Sequence, residues 1–426
     1  MWCVRRFSFV VTLVVAQAIG FNPLGVAQQQ AAQPVQKHQL RVVLYPFIPE
    51  FTTAADTVKR QFEAENPDID LVIVDLSDNY YAPPKPGKHD PTYIGEADTD
   101  VYELDSVFLA DFVKAQKIQP LPDSILLPKN QLLKNAYVGS MLDGKRYGSA
   151  HWVCGNFLFF TKDNEAQGAQ IKTLKELETF IPSDSKLKLL VDMRGRLTLG
   201  EFYLGTAYAK YKDPAEVAKH ISPADTSLED DLVRVLKLCP TGSCRDQIFH
   251  EITGIYGQEF ALGRSKALIG YSELLHSVLQ EGILNGTLQD SDLRVTALPL
   301  DDAGAVQISW VDSFAIGTAC KGDCYERATR FLRFMQRDDV YLKLLLPDRP
   351  SFLHNPHGPK VVPAYLLPAK ATLYSDPTLK ANAHLYTDLK GIIENAVVPT
   401  SVGLNQDLRT VSSSVDSALS AAVPQP

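Results

Sequence analysis

At 426 residues, with 45% hydrophobic and 22% charged side chains, the chain reads as globular and too long for one ordinary core, so two domains are expected. A formal net charge of −8 argues against nucleic acid or an anionic membrane surface as partner. It mildly favours a neutral or cationic ligand.

Residues 1–27 read as a secretory signal peptide: Arg5 and Arg6 precede the apolar run Phe7 to Phe21, and the small-residue stretch Gly25-Val26-Ala27 follows. Residues 28–38 read as a disordered lead-in. No later stretch approaches the roughly 20 apolar residues of a membrane helix. The mature protein is therefore expected to be exported, periplasmic or secreted, with no membrane partner.

In chain order, Leu40 to Phe47 reads as a strand, Thr52 to Glu65 as a helix capped by Thr52 or Thr53, and Ile69 to Leu76 as a second strand. This is a βαβ opening. Asp78 to Asp98, rich in Pro, Gly and Tyr, reads as a long loop of the kind that often carries function. Val101 to Leu104 is a third strand and Ser106 to Gln116 a helix. Gly144 to Gly148 has hairpin chemistry, and Ala150 to Phe160 follows as one strand. Helices are expected at Thr173 to Phe180, Leu199 to Tyr211, Leu228 to Leu238 and Asp246 to Leu262. Leu187 to Val191 and Lys266 to Tyr271 read as strands, and Glu273 to Gln280 as a helix. Strands at Leu293 to Pro299, Val306 to Trp310 and Ser313 to Gly317 lead to a helix at Tyr325 to Met335 and a proline-punctuated, helical C-terminal third.

Alternating strands and helices in an exported chain of this size predict an α/β fold of two lobes with a ligand cleft between them, as in periplasmic solute-binding proteins. The first lobe is placed at 39–150 and the second at 151–317. Residues 318–426 form a helical region packing on both, with part of it returning to the first.

Cysteine usage sharpens this picture. Cys3 leaves with the signal peptide, so five cysteines remain. Cys239 with Cys244, and Cys320 with Cys324, are close pairs that an oxidising compartment would make into local disulfides. A four-cysteine zinc site is the rival, with spacings that fit zinc poorly. Either way Cys154 is left over. An unpaired thiol in an exported protein signals reactivity or intermolecular pairing. The plain alternative is a buried core cysteine, a common fate for this residue. Gly155 and Asn156, small and polar, are read as keeping its sulfur accessible. There is no Gly-rich phosphate loop, Gly-x-Ser-x-Gly elbow or histidine set with metal-ligand spacing, so neither cofactor nor metal is expected.

Three segments resemble the thiaminase I (thiamine pyridinylase) family, a type II periplasmic-binding-protein relative. Trp152-Val153-Cys154-Gly155-Asn156-Phe157-Leu158 is similar to its nucleophile segment, Gly270-Tyr271-Ser272-Glu273 to the segment of its catalytic glutamate, and Trp310-Val311-Asp312-Ser313-Phe314 to a substrate-facing segment. Tyr45, Phe47 and Asp105 match positions lining its pyrimidine site, with Phe47 and Trp310 standing where tyrosines are expected. The resemblance implies that Cys154 is a nucleophile attacking C6 of the aminopyrimidine of thiamine, expelling the thiazole. A pyridine, aniline or thiol co-substrate then takes the pyrimidine. Glu273 would be the general base, because the thiolate is the competent form of cysteine; its plain alternative is a carboxylate favoured at a helix start. Tyr45, Phe47, Tyr80, Tyr81, Tyr271 and Trp310 would supply aromatic faces for the ring and the thiazolium cation. Asp105 and Asp312 would accept the amino group and a ring proton, and Asn156 would contact the substrate. A monomer is expected. A solute-binding protein of an ABC transporter, taking thiamine or a related heteroaromatic cation without catalysis, is the alternative, since fold does not fix function.

Overall fold

The computed structural model describes residues 37–74, 94, 99–194, 197–221, 223–245, 254–348 and 359–422. The expected signal peptide and most of the Tyr-rich loop, with Tyr80 and Tyr81, lie outside the described residues.

Two sheets organise residues 37–426. The larger contains β1 (His38–Val43), β2 (Ile69–Val74), β3 (Val101–Asp105), β6 (Ser149–Cys154), β11 (Trp310–Ile316) and β12 (Leu367–Pro368), in the order β12-β6-β11-β3-β1-β2. β1 pairs in parallel with both β2 and β3, whereas β11 runs antiparallel to β3 and β6. The smaller contains β7 (Asn156–Thr161), β8 (Leu189–Val191), β9 (Ala267–Tyr271) and β10 (Leu293–Thr296), ordered β10-β7-β9-β8. A two-stranded hairpin, β4 (Met141–Leu142) with β5 (Lys145–Arg146), turns at Asp143-Gly144, where both residues take positive φ. The two-lobed α/β fold is thus as expected.

The central strands of the large sheet are buried along their whole length because both faces are covered. Every residue of β6 and β11 is buried, including the charged or polar His151, Asp312 and Ser313. Helices Ser106–Lys114 and Asp323–Met335 pack on β11. The C-terminal helix Leu404–Ala422 lies along helices Thr198–Tyr211 and Thr226–Lys237 and also touches Ser106–Lys114, joining the layers of both sheets.

Three sequence expectations are corrected. Ala150 to Phe160 is two strands, β6 and β7, which belong to different sheets and part at Gly155. A continuous apolar run carries no mark of the change of sheet, since periodicity cannot say which partner a buried strand has. Val306 to Trp310 is not a strand of its own: Ile308 makes an isolated bridge to Val397, and β11 begins at Trp310. The first helix starts at Phe51, after Glu50 in left-handed geometry (φ 56), with no threonine cap. The helix expected from Asp246 is seen at Ile255–Ala261, its first half lying outside the described residues.

Both close cysteine pairs are disulfides, Cys239–Cys244 and Cys320–Cys324, which removes the zinc reading. Cys154 is the free cysteine among the described residues.

Candidate active site

Gly155 lies at the crossing between the sheets. A Cβ there would sit 2.7 Å from the Ile308 carbonyl oxygen and 2.9 Å from Gln307 Nε2. Glycine is therefore needed for a close backbone approach, and it does not open the sulfur to solvent: Cys154 is only 5% exposed. The sulfur's access is to a cavity rather than to open solvent, and Gly155 is not what provides it. Cys154 meets the protein surface through a cavity of about 310 Å³ lined by residues of both sheets.

Strand register assembles the sulfur's surroundings. Cys154 pairs with Trp310 across β6 and β11, and Asp312, two residues on, faces Asp105 across β3. The Cys154 thiol donates to Asp312 Oδ2 at 3.1 Å. Asp312 is fully buried, and its Oδ1 has no hydrogen-bond partner among the described residues. Burial, then the Asp105 and Glu103 carboxylates, holds the Asp312 carboxyl well above the usual range. The Cys154 thiol is likewise pushed well up, by burial first and then by Asp312 and Glu273. The resting sulfur is thus a protonated thiol that needs a base to become a nucleophile.

Glu273 lines the same cavity from the start of helix Leu274–Asn285. Tyr45 donates its hydroxyl to Glu273 Oε1 at 3.0 Å. Burial raises this carboxyl from 4.5 to about 7, in the range suited to proton transfer at neutral pH. Tyr45 is held in turn at its backbone, where its N–H donates to Glu103 Oε2 at 2.7 Å. This explains why the first strand stops at Val43 instead of running to Phe47. Glu103 also bonds the ring of His151, behind the site.

Of the sequence candidates, Tyr45, Phe47, Asp105, Cys154, Asn156, Tyr271, Glu273 and Trp310 all line the cavity, and Asp312 touches it through the sulfur. Tyr45 and Phe47 meet edge to face, with ring centres 5.5 Å apart. Asp105 Oδ1 caps helix Ser106–Lys114 through the Val107 N–H at 2.9 Å, a structural duty it combines with its place on the wall. Asn156 Nδ2 is spent on Glu201 at 2.9 Å.

Sequence reading missed Glu201, Asp192, Glu50, His276 and Gln280. Glu50 accepts from Gln280 Nε2 at 2.9 Å, and His276 holds the Pro363 carbonyl at 3.1 Å through Nδ1, so the rim is tied to the C-terminal region. None of these residues sits in a local pattern that marks it. The cavity wall carries four carboxylates (Glu50, Asp105, Asp192 and Glu273), and no Lys or Arg among the described residues. Aromatic side chains of Tyr45, Phe47, Phe202, Tyr256, Tyr271 and Trp310 also line the cavity, and acids with aromatic rings are the chemistry that suits a flat organic cation.

No family profile matches the chain. Thiaminase-1 of Paenibacillus thiaminolyticus is 26% identical over 387 residues, covering 87% of this chain and 84% of that protein. The chain is a homologue of thiaminase I. Its fold superposes on Clostridium botulinum thiaminase I in complex with thiamin with a TM-score of 0.73, at 19% identity, covering 89% of this chain and 99% of that one. Maltose-bound MalE3 of T. maritima matches with a TM-score of 0.60 at 15% identity, covering 89% of this chain and 99% of the other. The fold is therefore of the periplasmic-binding-protein type, shared with thiaminase I and with maltose-bound MalE3.

Proposed function

We propose that this chain cleaves thiamine as a transferase, moving the pyrimidine from the thiazole to an external base. The observation that carries the reading is a free buried thiol donating to a carboxylate, at the wall of an acidic, aromatic cavity with no Lys or Arg among its described lining residues, in a thiaminase I homologue.

Cys154 gives its proton to Asp312 Oδ2, the acceptor already in contact, and the sulfur bonds to C6 of the aminopyrimidine. Electrons displaced through the ring break the bond between the bridging methylene and the thiazolium nitrogen, and that electron pair leaves with a neutral thiazole. A pyridine, aniline or thiol then adds to the methylene, and where it carries a proton Glu273 accepts it. The returning electrons expel the sulfur from C6, which recovers its proton. Stacking by Trp310 and Tyr271, and the carboxylates of the wall, hold the cation. Its positive charge offsets the like-charge crowding that keeps the thiol protonated, so substrate binding itself favours the thiolate. The two disulfides fit an exported protein.

The likeness to MalE3, with a resting thiol rather than a thiolate, favours a second reading: a thiamine carrier without chemistry. Incubation with thiamine and aniline or pyridine, followed by mass spectrometry, separates the two. A pyrimidine adduct formed catalytically supports the transferase. Binding without adduct, unchanged in Cys154→Ala, leaves the carrier.

A further inference from the structure

Glu201 does not line the cavity, yet three residues that do are bonded to it. It stands in the first turn of helix Thr198–Tyr211, 3% exposed. Its Oε1 accepts the Asn156 side-chain amide at 2.9 Å and the Asn156 backbone N–H at 3.3 Å. Its Oε2 accepts the Tyr271 hydroxyl at 2.7 Å and the Trp310 indole N–H at 2.8 Å. Asn156 and Tyr271 belong to the small sheet, where they are paired in register, and Trp310 opens β11 of the large sheet. One carboxylate thus spans the seam between the sheets with its two oxygens shared among four donors.

We infer that Glu201 is a positioning residue that sets the two aromatic walls, Tyr271 and Trp310, against each other and so determines how a flat cationic ring is held. The indole N–H is donor-only, and the Asn156 backbone N–H is too, so only an acceptor can stand between them. An ionised carboxylate offers two acceptor oxygens; a neutral amide offers one, and its NH2 would oppose one of the donors. The bonds to a charged acceptor are the stronger kind. Trp310 is consequently held by its indole N–H while it lines the cavity.

The inference rests on the thiamine-cleaving reading for its substrate, and the test separates the two. The full chain is labelled with 5-fluorotryptophan, and the Trp310 resonance is assigned by its loss in Trp310→Phe. Glu201→Gln is expected to shift that resonance while leaving the Trp152 line in place, and to raise the KM for thiamine on the order of tenfold with a smaller loss in kcat. An unmoved Trp310 resonance, or an unchanged KM in a protein that turns thiamine over, overturns the inference. If Glu201→Gln does not fold, Tyr271→Phe serves: by vacating the oxygen that Tyr271 shares with Trp310 it must shift the same resonance, and a fixed line refutes the shared hub. Absence of turnover in the unaltered protein defeats the thiamine reading alone, because the resonance reports the hub without substrate.

Discussion

Asp312 and Glu201 are both buried carboxylates, with opposite surroundings. Both are pushed above the usual carboxylate range, and burial is the leading cause for each. Glu201 is surrounded by donors: Asn156, Tyr271 and Trp310 all pull its affinity for protons back down. Asp312 is surrounded by acids, since Asp105 and Glu103 push in the same direction as burial, and one of its oxygens has no partner among the described residues. Burial alone therefore does not make a reactive carboxylate. The supply of donors decides whether it becomes an anchor or a store of proton affinity placed against a thiol.

The contrast can be broken at the thiol first. Cys154→Ser should lower thiamine turnover by at least on the order of 10⁴-fold, as removal of a nucleophile does, with thiamine still bound by calorimetry. Turnover within tenfold of the unaltered protein would remove Cys154 from the chemistry.

Next come the two candidate proton acceptors. Glu273→Gln should retain binding and lose roughly 10²- to 10⁴-fold in kcat. In the unaltered protein kcat should rise with pH through about 7, where Glu273 ionises, and the variant should lack that limb. The same carboxyl predicts a stability effect of definite sign. Its pKa is raised in the fold, so its stabilising contribution is complete below 4.5 and is lost as pH rises to about 7. At 1.36 kcal/mol per unit this amounts to about 3 kcal/mol. The difference in thermal midpoint between Glu273→Gln and the unaltered protein should therefore grow in favour of the variant from pH 4.5 to 7; a constant difference would contradict the buried, raised carboxyl.

Asp312→Asn sharpens the comparison directly. It should cost on the order of 10²-fold in kcat yet raise the thermal midpoint increasingly as pH rises, because the fold disfavours the ionised form of this buried, acid-crowded carboxyl. Glu201→Gln should lower the midpoint, because it deprives buried donors of their acceptor. Equal signs for the two would dissolve the distinction between store and anchor. The smallest effect is expected at the crossing: Gly155→Ala should destabilise by about 1–3 kcal/mol, as overpacking against the Ile308 carbonyl does, seen as a lower midpoint in thermal melts.

Much of this molecule was readable without coordinates. The order of strands and helices followed from apolar runs and their punctuation, and a hairpin was expected at Gly144 to Gly148, although its turn is at Asp143-Gly144 and Lys145-Arg146 is a strand. Counting sulfurs isolated Cys154, because disulfide pairing is local here and leaves one thiol over. Eight of the candidates named from residue type and family likeness line one cavity for the same reason: each follows a strand end or crossing, where side chains must face the space between sheets. What failed was everything that depends on which strand lies next to which. The apolar run from Ala150 to Phe160 looked like one strand because both sheets demand the same residues.

Gly155 was read as a window for the sulfur, and it is a contact point for another backbone. Residue 154 reaches its proton acceptor across a separation of 158 residues, and Glu201 reaches Trp310 across 109. Composition and local pattern determined that an unpaired cysteine, a helix-start glutamate and a set of aromatics exist in this chain, since those are properties of short segments. Only the tertiary structure decided that the thiol meets Asp312 and that Glu201 holds the walls. Hydrogen bonds between distant strands depend on register and sheet order, which no local window encodes.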